Sequence, residues 1–520
     1  MAPATVWYKE ATMLDDESCY RAFTSGDRRF DGRFVTAVLT TGIYCRPGCP
    51  ARRPARRNVR FFTCAAAAEG AGFRPCLRCR PETAPGSPAW SGTSATVARA
   101  LRLIDEGALD ESGVEGLAGR LGVTGRWLRR LFTEQLGASP LAVARTRRVH
   151  FARRLLDETD LRIAEIAAAA GFGSARRLGD AIRATFRRAP RELRRRSLGR
   201  RGSGGATAHA PSCHGAERGP APDDALELRL PARPPFAAAP LLRFFAARAL
   251  PGVEEVAGGV YRRSVRLGDE TGVVEIRAVP GEAGVRVRWP ASSSGSLLAL
   301  ASRASRLFDL EADVTTIRAH LRQDPALASA LPAAGIRVPG AWDPFELAVR
   351  ALLGQQVSVA AARTLAARLV LRCGTPLPGG PRGSITHLFP TPAAVAGAHL
   401  SDLGLTRARA GALRTLAAQI ASGELDLTVA ASLDEQVARL TALPGVGEWT
   451  AHYVAMRALG DPDAFPAGDL GLRRALGRGD RLPSPGEVTA RAERWRPWRA
   501  YAVIALWTKD VGGPTRRRRG

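Results

Sequence analysis

Four cysteines constrain this chain more than any other feature. Cys45-x3-Cys49 and Cys76-x2-Cys79 are separated by 26 residues. Two short knuckles so spaced can close on one ion, and the pattern suits a tetrahedral four-thiolate zinc site. The alternative, a disulfide framework, needs an oxidising compartment. The N-terminal stretch MAPATVWYKEATMLDDESCY lacks the basic-then-apolar order of a secretory signal, and no run of about 18 apolar residues appears. A cytoplasmic location with reduced thiols and no membrane partner is therefore expected. The other cysteines, Cys19, Cys64, Cys213 and Cys373, show no pairing and are expected to be inert.

At 520 residues the chain exceeds one core, and typical sizes predict about three to five domains. The formal charge is 76 − 49 = +27, which favours a polyanionic partner such as nucleic acid. Only Lys9 and Lys509 are lysines, so 76 − 2 = 74 basic residues are Arg. That excess, like the abundant Ala, fits a GC-rich coding bias, and charge alone is an incomplete argument for nucleic acid. PETAPGSPAWSG, from Pro81, reads as a short linker and residues 199–224 as a longer flexible one. The region between them has helical periodicity. Residues 264–289 alternate polar and apolar around Gly turns, as antiparallel strands do, and the pattern from Leu297 onward is again mostly helical. The tail TRRRRG is expected to be disordered and to add non-specific phosphate affinity.

The first cysteine pair lies in TGIYCRPGCPARRPARRNVRFF, among Arg46, Arg52, Arg53, Arg56, Arg57 and Arg60. A purely structural zinc site needs no such arginines. Zinc keeps its ligands as thiolates, and surrounding Arg stabilises that charge while drawing phosphate towards it. Such a thiolate can attack an electrophile carried on DNA. With AGFRPCLRCRP, the stretch resembles the methyl-phosphotriester-accepting domain of Ada-type DNA repair proteins. The resemblance implies one zinc ion held by Cys45, Cys49, Cys76 and Cys79, with Cys45 taking a methyl group by in-line displacement. Losing one negative charge at this centre would lower repulsion from DNA phosphates and tighten binding. A zinc finger that is only structural is the alternative.

ESGVEGLAGRLGVTGRWLRRLFTEQLGASP and LRIAEIAAAAGFGSARRLGDAIRATFRRAPREL each read as helix, Gly turn, helix. Thr124 is expected to cap a helix carrying Arg126, Arg129 and Arg130, and Ser174 one carrying Arg176, Arg177 and Arg183. Two such units, joined by a helix around residues 143–157, resemble the AraC-type DNA-binding domain. Each second helix would then enter a major groove. Gly179, which costs a helix up to about 1 kcal/mol relative to Ala, and the carboxylate of Asp180 set the second unit apart from that pattern.

In LPGVGEWTAHYVAMRALG, the glycines Gly445 and Gly447 let backbone N–H groups approach a phosphate, as in a helix-hairpin-helix. Asp469 follows in DAFPAGDLGLRRALG. With LLRFFAARAL, SRLFDLEAD, DPFELAVRALLGQQVSVAAA, LFPTPAAVA and ERWRPWRAYAVIALW, these segments resemble AlkA-type DNA-3-methyladenine glycosylases over roughly residues 225–513. Alkylation at a ring nitrogen makes a purine cationic, a good leaving group and a partner for aromatic faces. Trp449, Tyr453, Trp507 and, by motif position, Phe244 would receive a base flipped from the duplex. Asp469 would stabilise oxocarbenium character at the sugar and orient water. Bifunctional relatives carry a lysine nucleophile where this chain has Trp449, so hydrolysis without strand cleavage is expected. Gln356 occupies the position from which such enzymes insert a side chain into the gap left by the base. The family hairpin can also hold a monovalent cation through backbone carbonyls.

The expected fold is multidomain and mainly α. It comprises a small α+β zinc domain (1–85), an all-α double helix-turn-helix domain (92–198), a flexible linker (199–224), an α+β AlkA-like N-terminal subdomain (225–310), an all-α helix-hairpin-helix glycosylase core (311–513) and a basic tail (514–520). The expected function is DNA alkylation repair and response in a bacterial, nucleoid-associated monomer, with double-stranded and alkylated DNA and RNA polymerase as partners. No Pro-Cys-His-Arg segment for O6-alkylguanine repair is present; the Cys213-His214 pair lies in the linker. The rival reading is an alkylation-responsive transcription factor whose C-terminal half only binds DNA.

Overall fold

The computed structural model describes residues 15–27, 30–81, 95–105, 107–194, 225–279, 281–290, 297–332, 335–427, 432–477 and 481–510. Cys213, His214, Lys9, the basic tail and the bodies of both expected linkers lie outside them. The protein is multidomain and mostly helical.

The cysteine module begins with helix α1 (Asp16–Thr24), followed by strands β1 (Val35–Val38), β2 (Ile43–Cys45) and β3 (Val59–Phe62), helix α2 (Ala65–Gly70) and strand β4 (Arg74–Pro75). The sheet order is β3-β1-β2-β4. β2 and β4 run parallel, with Tyr44 opposite Pro75, so Cys45 and Cys76 leave adjacent strands at the same end. This pairing brings the two knuckles together.

The reader module comprises α3 (Ala95–Asp105), α4 (Ala108–Glu111), α5 (Gly113–Arg120), α6 (Gly125–Leu136), α7 (Pro140–Glu158), α8 (Ile163–Ala169) and α9 (Ala175–Phe186). Thr124 caps α6 by accepting from Trp127 N, and Ser174 caps α9 by accepting from Arg177 N. Each hydroxyl satisfies one of the N–H groups a helix start leaves unpaired. Gly179 lies inside α9, and Asp180 accepts from Arg183 Nη1 at 2.9 Å, which neutralises its charge locally. On the cysteine module, Glu69 of α2 accepts from Tyr44 Oη (2.9 Å) and Thr146 Oγ1 (2.8 Å) and lies 3.0 Å from His150 Nε2. Thr146 and His150 belong to α7, so this cluster joins the two modules.

Beyond residue 224, strands β5 (Ala225–Pro231), β6 (Glu254–Ala257), β7 (Val260–Leu267), β8 (Glu270–Ala278) and β9 (Gly284–Pro290) form an antiparallel sheet in the order β5-β9-β8-β7-β6. Helices α10 (Ala238–Arg248) and α11 (Leu297–Leu307) pack with it. Its inward residues Tyr261, Ile276, Val287 and Trp289 share one continuous core with Leu155, Ile182 and Phe186 of the reader. The helical core contains α12 (Val314–Leu321), α13 (Pro344–Leu353), α14 (Val359–Cys373), α15 (Arg407–Ala421), α16 (Leu433–Thr441), α17 (Glu448–Arg457), α18 (Leu470–Leu476) and α19 (Arg499–Asp510). Arg99 of α3 meets Asp461 just beyond α17 at 2.9 Å, both side chains buried.

Four charges, two buried (Arg263 and Glu346) and two half-buried (Glu254 and Arg350), lock the sheet to α13. Arg263 bonds Glu346 (2.6 Å) and Glu254 (3.3 Å), and Arg350 bonds the same two acids at 3.0 and 2.8 Å. Burial pushes the Glu254 carboxyl up, but Arg350 and Arg263 outweigh it and hold it down at about 2. Such a group stabilises the fold above the ordinary carboxylate range, and that contribution fades as pH falls towards about 2. Arg350→Met should cost roughly 3–5 kcal/mol in denaturant unfolding at neutral pH, because it leaves the Glu254 and Glu346 carboxylates to share Arg263 alone. The variant should also lose less stability than the native protein between pH of about 4.5 and about 2; an equal slope would show that the ring does not carry the acid sensitivity.

Candidate active site and metal centre

Asp469 is the N-cap of α18, and its Oδ1 accepts from Leu472 N at 2.8 Å. The same oxygen accepts from Trp507 Nε1 at 2.9 Å, and Oδ2 accepts from Trp449 Nε1 at 2.9 Å. The acid therefore stands between two indoles contributed by α17 and α19, fixed by three N–H donors. Among the described residues no ion pair involves it. Gly471 makes the approach possible: a Cβ there would lie 3.2 Å from Asp469 Oδ1 and 3.6 Å from the Trp507 ring.

Trp449 and Tyr453 lie one turn apart on α17, stacked with centroids 5.2 Å apart and planes 12° apart. Trp507 lies 6.2 Å from Tyr453, tilted by 44°. All three rings are half-buried, open enough to meet a ligand. Phe244 is placed differently. Its ring carries the Arg248 guanidinium at 3.8 Å and that of Arg457 at 4.7 Å, and it reaches the cluster through Arg457, which donates to Tyr453 Oη at 2.6 Å. Burial pushes the Tyr453 phenol up, but Arg457 and Arg248 more than compensate and hold it below the usual phenol range. Nothing in the sequence motif singles out Arg457; it becomes visible only when α17 packs against α10.

The turn between α16 and α17 holds Gly445 at φ +78°, where a Cβ would lie 2.8 Å from that of Ala412. Gly447, by contrast, faces open space and caps α17. Gly445 therefore serves the turn itself, whereas Gly447 leaves α17's first N–H groups accessible. The Gly445 carbonyl accepts from Gln355 Nε2 at 2.9 Å. Gln356 is exposed at the tip of the neighbouring loop.

In the cysteine module the sulfurs of Cys45, Cys49, Cys76 and Cys79 all lie within 4.8 Å of one another, and all four residues are buried. Hydrogen bonds within the set push the Cys45 and Cys79 thiols far up and hold Cys76 and Cys49 down, Cys49 at about 7. Four sulfurs this close can all be thiolates only around a cation, and the donor set fits one zinc ion. Asp31, which sequence reasoning missed, braces the first knuckle: it accepts from Gly48 N at 2.8 Å and Arg46 Nη1 at 2.9 Å. The remaining arginines divide. Arg53 lies over Phe23, Arg56 over Phe61 and the exposed Arg60 over Phe62, while Arg52 and Arg57 are exposed. Outside the cluster, burial pushes the Cys19 thiol up to about 12, Cys373 to about 11, and Cys64 up as well.

On the reader, Arg126, Arg176 and Arg177 are exposed near the starts of α6 and α9. Arg129 is engaged with Glu115 at 2.9 Å and Arg130 with Glu134 at 2.7 Å. Trp127, not singled out from the sequence, is 42% exposed beside Arg126.

Family models match four segments: the AlkA N-terminal domain over 227–343, the metal binding domain of Ada over 18–82, a helix-turn-helix domain over 117–196 and the HhH-GPD superfamily base excision DNA repair protein over 349–500. A Mycobacterium tuberculosis protein, named as a probable bifunctional transcriptional activator/DNA repair enzyme AlkA, is 45% identical over 501 residues, which cover 95% of this chain and 97% of that relative. DNA-3-methyladenine glycosylase 2 of Escherichia coli is 36% identical over 289 residues, 54% of this chain and 97% of its own. The Escherichia coli bifunctional transcriptional activator/DNA repair enzyme Ada is 40% identical over 136 residues, 26% of this chain and 36% of its own.

The metal centre is open to direct measurement. Purified protein should carry one equivalent of zinc by atomic absorption, and Cys49→Ala with Cys76→Ala should abolish it while Cys19→Ala leaves it intact. Full zinc retention in the double variant would place the metal elsewhere.

Proposed function

Since the chain belongs to the family of AlkA-type bifunctional transcriptional activator/DNA repair enzymes, we propose that it hydrolyses the N-glycosidic bond of alkylated bases such as 3-methyladenine in duplex DNA, and that Cys45 accepts a methyl group from a DNA methyl-phosphotriester. The observation that carries the glycosylase reading is the Asp469 carboxylate held between the indole N–H groups of Trp449 and Trp507.

A base between two rings needs about 7 Å between their centroids, twice the optimal carbon contact. The Trp449–Tyr453 stack, at 5.2 Å, is too tight. Tyr453 and Trp507, at 6.2 Å and inclined, need only part by about an ångström. As the bond from the sugar's C1′ to the base nitrogen breaks, its electron pair neutralises the cationic base. Positive charge then grows on the sugar. Asp469, fixed by three donors before the substrate arrives, offers its negative charge to that carbon without reorganising. Water adds to C1′ and releases one proton. Trp449 stands where a lysine nucleophile would be needed for lyase chemistry, which supports hydrolysis alone.

The four-cysteine centre fits one zinc ion, which when bound would keep the ligands as thiolates. Transfer to Cys45 would form a carbon–sulfur bond and break the methyl carbon–oxygen bond of the phosphotriester, leaving an ordinary phosphodiester. Exposed Arg52, Arg57 and Arg60 support approach of the DNA backbone. Arg126, Arg176 and Arg177 support the reader's contact with the same polyanion, and RNA polymerase is the proposed partner of the methylated form.

Asp469→Asn should lower alkylpurine release from methylated duplex DNA by about 10²–10³-fold, the scale of losing one preorganised electrostatic group. Undiminished release would favour a half that only binds DNA. Intact mass after exposure to methyl-phosphotriester DNA should rise by one methyl group in wild type and not in Cys45→Ala; no addition in wild type would leave the finger structural.

A further inference from the structure

The connection between α13 and α14 is short, residues 354–358, and Gln356 at its tip has φ +57°. A side chain in the left-handed region is disfavoured and persists only where its surroundings impose it. The imposition comes through the preceding residue. Gln355 donates from Nε2 to Gly445 O at 2.9 Å and to Thr450 Oγ1 at 3.0 Å, which uses both N–H bonds of the amide. Arg409, in the first turn of α15, donates from Nη2 to Gln355 O at 2.7 Å. That carbonyl belongs to the peptide unit whose nitrogen is Gln356's own, so Arg409 and the Gln355 amide together fix the plane about which φ of Gln356 is set.

The far end of the clamp matters as much. Thr450 is buried and directly follows Trp449 on α17, one turn before Tyr453 and its hydrogen bond to Arg457. A single side chain thus sets the offset between the loop tip and the helix that carries the aromatic pocket. Beside the tip, Val357 is 37% and Val359 46% exposed. Apolar side chains flanking a projecting residue suit a wedge pressed between base pairs.

We infer that Gln355 is a positioning residue for base extrusion: it clamps the 354–358 loop to the hairpin and α17, so that Gln356 enters the duplex at a fixed distance from the pocket that receives the base. The inference rests on the glycosylase reading and adds the step that precedes bond cleavage. Gln355 touches neither the base nor the sugar. Its effect is greatest where the duplex resists opening, since the cost of flipping is lowest for a base already unpaired.

The test compares release of an alkylated purine from two duplexes, one with the damaged base normally paired and one with it opposite an abasic site. Gln355→Ala should lose about 10–100-fold on the paired duplex, the scale of an ångström of misplacement, and at least tenfold less than that on the unpaired one. Gln355→Glu keeps the length but loses the donors, and should show the same split. An equal loss on both duplexes, or no loss on the paired one, overturns the clamp. Wild type releasing no base from either duplex would instead overturn the glycosylase reading.

Discussion

The buried guanidinium is the interaction on which this architecture depends. Arg233 donates to the carbonyls of Asp31 (2.7 Å) and Glu311 (3.3 Å), and Arg337 donates to those of Asp309, Arg233 and Pro235. Arg457 does the same for Pro339 and Gly340 while holding Tyr453. Each of these carbonyls lies outside a regular ladder and, once buried, needs a donor. A planar fork with five N–H bonds can serve two or three of them at once; an ammonium on a flexible stem cannot do so with fixed geometry. Burial pulls Arg233 down to about 10, which still leaves it cationic near neutrality.

This use of arginine changes what the composition means. Seventy-four arginines suggested coding bias and nucleic acid, and the exposed Arg52, Arg57, Arg60, Arg126, Arg176 and Arg177 still face solvent. Others are internal fasteners between modules: Arg33 with Asp313, Arg80 with Asp157, Arg99 with Asp461 and Arg233 with the Asp31 carbonyl. The cysteine module, the reader and the two C-terminal parts thereby meet at shared interfaces.

Much of the fold was legible because its signals are local. Thr124 and Ser174 cap the helices they were expected to cap, the alternation after Ser264 becomes β7 to β9, and the cysteine spacing closes on one point. The grouping of Trp449, Trp507 and Asp469 was legible only through resemblance, since residues 20 and 38 positions from the acid meet through tertiary packing. Asp31, Gln355 and Arg457 carried no such signal. Their roles arise from what they fasten, a knuckle, a loop and a phenol, and an acid, an amide or a guanidinium in a sequence does not announce its partner. Phe244 exposes the same limit from the other side: its position in a motif said nothing of the two cations stacked on it.

The Glu69 junction bears on how such a chain can be rebuilt in evolution. Tyr44 immediately precedes Cys45, and its hydroxyl shares one carboxylate with Thr146 and His150 of α7. A cysteine module grafted onto a foreign reader would keep the Tyr44 hydroxyl but lose the Thr146 hydroxyl and the His150 imidazole that meet the same acid across the seam. Recombination at that boundary would therefore carry a cost, because a substitute reader would have to bring its own donors to the Glu69 carboxylate.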